Sequence, residues 1–72
     1  MNIPKEKLEH RLKHLEEELR TSEEIAAKFG SGQMILYDNG VAVPAEDMSK
    51  MYRHYAKHFQ ELIDMYREQL AK

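Results

Sequence analysis

The stretch Met48 to Leu70, MSKMYRHYAKHFQELIDMYREQL, constrains the fold more than any other part of the chain. Its apolar residues recur at spacings of three and four, the period of an amphipathic helix. Written as heptads, it has Tyr52, Phe59 and Tyr66 at a, and Met48, Tyr55, Leu62 and Gln69 at d. The flanks are apolar too: Ala56, Ile63 and Leu70 fall at e, Met51 and Met65 at g. Such a face is wider than the a/d seam of a two-stranded coiled coil, and one neighbouring helix does not cover it. The a and d residues are therefore expected to meet a second helix of the same chain. Met51, Ala56, Ile63, Met65 and Leu70 are expected to lie between chains.

Chain length points the same way. With 72 residues the sequence is read as one domain, 1–72, and a domain this small buries only about 60% of its unfolded surface. Disulfides, a metal or oligomerisation usually make up the deficit. The chain has no cysteine, which excludes disulfides and thiolate metal sites and leaves oligomerisation or metal binding through His and carboxylates.

A second helical period lies upstream. Leu8, Leu12, Leu15 and Leu19 alternate at four and three, and the register continues through Ser22, Ala26 and Phe29. A capping box could be read at Thr21–Glu24, but the period does not slip there, so one continuous helix over about 3–29 is expected. Asn2 is its expected N-cap, with Pro4 in the first turn. Gly30 is placed to end it in a left-handed cap. This helix has a narrow apolar stripe, and its e positions Glu9, Glu16 and Glu23 are all acidic.

Between the helices lies QMILYDNGVAVP, in which Asn39-Gly40 separates two apolar runs. Both residues tolerate the positive φ of a type I′ turn, so a β-hairpin over about 33–43 is expected, with strands 33–38 and 41–43. Met34, Ile35, Leu36 and Tyr37 make both strand faces apolar. One face is expected to pack on the helix ends and the other to meet a partner. Pro44 closes the second strand and opens a helix over about 45–71.

The fold class is therefore mainly α with a small β-hairpin: an antiparallel helix–β-hairpin–helix (α-β-β-α) that pairs into a dimeric four-helix bundle. The expected facing layers are Phe29 with Met48, Ala26 with Tyr52, Ser22 with Tyr55, Leu19 with Phe59, Leu15 with Leu62 and Leu12 with Tyr66. Ser22 is a candidate hydrogen-bond partner for the Tyr55 hydroxyl.

Candidate chemistry is sparse. His10 and His14, and again His54 and His58, stand four apart, so each pair could supply two corners of a zinc site. Neither pair has a fixed third ligand, and Glu18 facing His58 is explained as an ion pair; no metal and no cofactor are expected. Lys50, Arg53 and Lys57, with His54, form a short basic patch that could contact an anion or nucleic acid. The net charge of −2 and the acidic residues that continue this face argue against nucleic acid as the partner. No serine has a histidine at a recognisable spacing, and Gly30-Ser31-Gly32 precedes a strand where a phosphate loop precedes a helix, so no enzyme is expected. No apolar run reaches the ~18 residues of a membrane span, and no secretory leader is read at the start, so a cytoplasmic location is expected.

The sequence thus reads as a small, non-enzymatic, homo-oligomeric protein-interaction module that acts as an adaptor, regulator or inhibitor of another macromolecule. The alternatives are an oligomer binding a small anion or nucleotide between subunits, and a nucleic-acid binder using the basic patch.

Overall fold

The computed structural model describes residues 3–72. The chain is mainly helical. Helix α1 spans Lys5–Gly30 and helix α2 spans Ala45–Leu70, each 26 residues long. A two-stranded antiparallel hairpin, β1 (Tyr37–Asp38) and β2 (Val41–Ala42), joins them. The helices lie side by side in a rod with principal extents of 49 × 19 × 17 Å. No helix among the described residues is long and apolar enough to cross a membrane.

Both helices start in the same way. Pro4 and Pro44 occupy the N-cap positions, with φ near −55° and extended ψ. Proline has this φ built in and has no N–H to leave unsatisfied. Its carbonyl then accepts from the third and fourth residues onward: Lys7 and Leu8 for Pro4, Asp47 and Met48 for Pro44. Pro4 thus stands one position outside the first turn in which it is expected; Asn2, the expected cap, lies outside the described residues. Glu46 and Asp47 sit in the first turn of α2, where carboxylates favour the positive end of the helix dipole.

α1 runs unbroken through Thr21–Glu24. Its end differs from the expectation at Gly30, which is helical. The left-handed residue is Gly32, with φ +81°. Around it Gln33 N–H donates to the Lys28 carbonyl at 2.9 Å and Gly32 N–H to the Phe29 carbonyl at 3.3 Å. This 6→1 and 5→2 pair is a Schellman termination with Gly32 just past the cap.

That termination also shortens the hairpin. The N–H groups of Gln33 and Met34 are both spent on the Lys28 carbonyl, so residues 33 and 34 belong to the helix end. On the other side Pro44 has no N–H to offer. Between these limits only two residues pair on each strand, in register Tyr37↔Ala42 and Asp38↔Val41, with one further bond from Val43 N–H to the Leu36 carbonyl at 2.8 Å. Asn39 (φ 51°) and Gly40 (φ 80°) form the two-residue turn with both residues in the left-handed region, as a type I′ turn requires. The expected packing of one hairpin face on the helix ends is absent: residues 31–42 are exposed and only Val43 is half-buried.

The helices meet through a different seam from the one the heptads suggest. On α2 the buried residues are Met48, Ser49, Ala56 and Ile63, with Tyr52, Phe59, Leu62, Tyr66 and Leu70 half-buried between and beyond them. Apart from Met48 and Leu62 these are the a and e positions. Tyr55, expected inside at d, is 43% exposed, and its expected bond to Ser22 does not form. A buried tyrosine hydroxyl needs a partner; the rotated seam leaves it in water and places Ser49 and Ala56 where the two backbones approach.

Across the seam Phe29 stacks on Tyr52, Ala26 lines one groove with Arg53 and Leu19 another with Ile63, and Arg67 pairs with Glu16.

Candidate interaction surface

On α1 the large apolar side chains sit in the narrow stripe that faces α2: Leu8 and Phe29 are buried, and Leu12, Leu15, Leu19 and Ile25 are half-buried. Among the described residues, the large apolar side chains left exposed all belong to the hairpin or α2. They form two tracts.

The first tract is the hairpin and the residues leading into it. Met34, Ile35, Leu36, Tyr37 and Val41 are all more than a third exposed, Tyr37 at 62% and Val41 at 70%. Strand alternation assigns Ile35, Tyr37 and Ala42 to one face and Leu36, Val41 and Val43 to the other. Val43, at the base of the second face, is half-buried, whereas Ile35 and Tyr37 are 59% and 62% exposed, so the Ile35–Tyr37 face is wholly free. The type I′ turn and the two anchored ends hold this element, since an isolated two-stranded hairpin is marginal in water. Both strands are edges, but two residues offer too few free backbone groups for extensive strand pairing. The side chains are what this element presents.

The second tract runs along α2. Met51, Tyr55 and Met65 are exposed, Met65 at 55%, and half-buried Leu62 lies between them. Positions 51, 55, 58, 62 and 65 alternate at four and three, which is a heptad stripe of g and d beside the a/e seam. His58 is its polar member. Tyr55 meets Tyr52 edge-on at 5.5 Å between centroids, which ties the stripe to the stack on Phe29.

The residues expected between chains therefore divide. Met51, Met65, Met34, Ile35, Leu36 and Tyr37 are on the surface. Ala56 and Ile63 are not: at 8% and 1% exposure they are covered by α1, and Leu70 is half-buried at the far end. The e positions are therefore part of the subunit's own seam. Tyr55 and Val41 join the exposed set. Val41 carried a usable signal, since it follows Asn39-Gly40 directly and so sits at the hairpin tip. The exposure of Tyr55 depends on which way α2 is rolled.

The basic patch is partly committed. Lys50 pairs with Glu46 at 3.8 Å, and Arg53 Nε donates to the Ser49 carbonyl at 3.3 Å. Arg53 lines a shallow groove of about 350 Å³ between the helices, together with Glu23, Ala26 and Ser49. A second groove of about 220 Å³ continues along the same side, with Glu23 shared and with Arg20, Arg67 and Glu16 in its wall. Arginines and carboxylates alternate there, and the Arg67–Glu16 pair at 3.9 Å crosses it. The expected Glu18–His58 pair is not among the ion pairs of the described residues; His58 lies beside Phe59, ring centroids 6.2 Å apart. No cluster of three or more His, Asp or Glu able to hold a metal occurs among the described residues.

No protein-family model, curated protein or solved structure matches this chain.

Proposed function

We propose that this chain is a non-enzymatic protein-interaction module that self-associates along the g/d stripe of α2 and uses the free hairpin to hold another protein. One observation carries the reading: the exposed large apolar residues fall in two tracts on the hairpin and α2. Scattered surface hydrophobics need no explanation, whereas contiguous apolar tracts mark contact surfaces.

Surface area supports the self-association half. A monomeric protein of 8.5 kDa is expected to expose about 4,700 Å². This chain exposes 5784 Å². The excess of roughly 1,100 Å² exceeds the ~800 Å² that each partner gives up in a standard interface. A rod has more surface than a sphere of equal volume, and side-by-side pairing of rods is the arrangement that removes it. Two copies joined at Met51, Tyr55, Leu62 and Met65 would form a four-helix bundle, with the polar outer faces of the two α1 helices outside. A copy of the same chain is the occupant favoured for this stripe, because heptad spacing is self-complementary about a two-fold axis.

The hairpin is the half assigned to a different protein. Ile35 and Tyr37 supply an aliphatic and an aromatic anchor on one face, and tyrosine is enriched among residues that dominate binding energy. The role would be that of an adaptor, regulator or inhibitor.

Sedimentation equilibrium at low micromolar concentration tests the first half. A dimer or larger closed assembly is the expected result, and a folded monomer overturns it. Affinity capture from a native lysate, with variants altered at Ile35 or Tyr37 as controls, tests the second. A partner retained equally by the intact and altered hairpins removes the hairpin from the proposal.

A further inference from the structure

Two histidine pairs share the i, i+4 spacing, and their side chains behave differently. His10 and His14, on the exposed face of α1, bring their Nε2 atoms within 3.2 Å, with ring centroids 4.6 Å apart and planes at 84°. His54 and His58, on α2, make no such contact among the described residues; His58 turns toward Phe59. Spacing alone does not converge the nitrogens, and on α1 they converge.

The separation matches a chelate. Two nitrogens bound at 2.0–2.1 Å to one metal stand about 3.3 Å apart at the tetrahedral angle and about 2.9 Å apart at a right angle. The observed 3.2 Å lies between these values; a metal would sit off the N–N line, with each ring turned to aim its nitrogen lone pair at it. In the metal-free pair one Nε2–H donates to the other Nε2. For both Nε2 atoms to ligate, the donating ring must carry its proton on Nδ1.

We propose that His10 and His14 form a two-imidazole clamp for a divalent transition-metal ion of the copper, nickel or zinc class. Imidazole suits these ions, and hard cations such as magnesium and calcium prefer oxygen ligands. No third protein donor completes the site among the described residues, so water fills the remaining positions. Glu6 and Glu18 lie one turn beyond the pair on either side along the same stripe, offset by Lys7, Arg11 and Lys13 on the flanking turns. With two protein ligands and no enforced geometry, affinity follows the intrinsic order, copper(II) above nickel(II) and zinc(II). Because the nitrogens converge only when residues 10–14 are helical, binding also favours the folded state. This proposal does not depend on the role of the hairpin or of the α2 stripe.

The test is titration of the full chain with copper(II) chloride, followed by calorimetry and by paramagnetic broadening of histidine NMR signals. Three forms are compared: the intact protein, His14→Gln and His58→Gln. His14 is exposed and its replacement keeps a helix-compatible residue, so His14→Gln folds, as far-UV circular dichroism will verify; His10→Gln is the second variant. The expected result is one ion per chain, broadening of His10 and His14 first, and weakening of about tenfold or more in either α1 variant, since loss of one arm abolishes chelation. His58→Gln should bind as the intact protein does. Equal binding by His14→Gln and the intact protein, equal loss in the α1 and α2 variants, or no binding by the intact protein at millimolar copper would each overturn the proposal.

Discussion

Phe29 stacks on Tyr52, with ring centroids 5.9 Å apart and planes only 21° from parallel. Phe29 is buried near the end of α1, and Tyr52 is half-buried near the start of α2. The stack fixes the register where the chain leaves one helix and re-enters the other. Truncating Phe29 to Ala should therefore cost about 3–5 kcal/mol, the usual loss for a buried phenylalanine. That is a large part of the stability of a domain this size. Urea unfolding monitored by circular dichroism checks it. A loss under 1 kcal/mol would mean that the stack is peripheral.

Ile63 is the deepest side chain on α2, at 1% exposure. Ile63→Ala should destabilise by roughly 2–5 kcal/mol. Ile63→Asp should leave the chain unfolded, because it buries an unpaired carboxylate between the helices. An Ile63→Asp protein that stayed fully helical and merely changed its oligomeric state would place this residue between chains and contradict the seam.

Met65→Asp and Tyr55→Asp carry the complementary test. Both residues are exposed on the same helix, so either change should leave the helices folded. The double variant should sediment as a monomer where the intact protein sediments as an assembly. Persistence of the assembly with its mass unchanged would move the interface away from this stripe.

The two glycines at the end of α1 should respond oppositely. Gly30 is helical, and a Cβ there would meet Ser49 Oγ at 3.7 Å, an ordinary contact. Gly30→Ala should be neutral or stabilising by up to about 1 kcal/mol, through lower entropy of the unfolded chain. Gly32 has φ +81° and open space around it, so its constraint is conformational. Gly32→Ala should cost about 1–2 kcal/mol. Thermal melts of the two single variants decide the matter, and a reversed order would be inconsistent with a Schellman end at Gly32.

On the hairpin, Ile35→Asp and Tyr37→Ala should leave the melting temperature within a few degrees of the intact protein, since neither side chain packs on the helices. Loss of a captured protein partner by at least tenfold in either variant is the expected binding result. A collapse of thermal stability would instead give the hairpin a structural role.

Much of the architecture was determined by the sequence itself. The three-four spacing of Leu8 to Phe29 and of Met48 to Leu70 specifies two helices, because only the helical period gathers those side chains on one face. Asn39-Gly40 specifies the reversal between the strands, because few other dipeptides accept positive φ twice in succession. Pro4 and Pro44 mark both helix starts, since their φ and missing N–H suit a helix entrance. These are local properties of the backbone and need no neighbour.

The tertiary structure decided how α2 is rolled against α1. A face apolar at a, d, e and g can offer a/d or a/e to its neighbour, and the heptad pattern is the same for either. The choice depends on which side chains let the backbones approach, as Ser49 and Ala56 do, and on which hydroxyl is left in water, as that of Tyr55 is. It also depends on Phe29, which finds the ring of Tyr52 one turn beyond its expected partner. Those are contacts between residues more than twenty positions apart, and periodicity within one helix carries no information about them. The same holds for the clamp on α1: the spacing of His10 and His14 permits convergence, and only the rotamers adopted in the folded chain bring the nitrogens together.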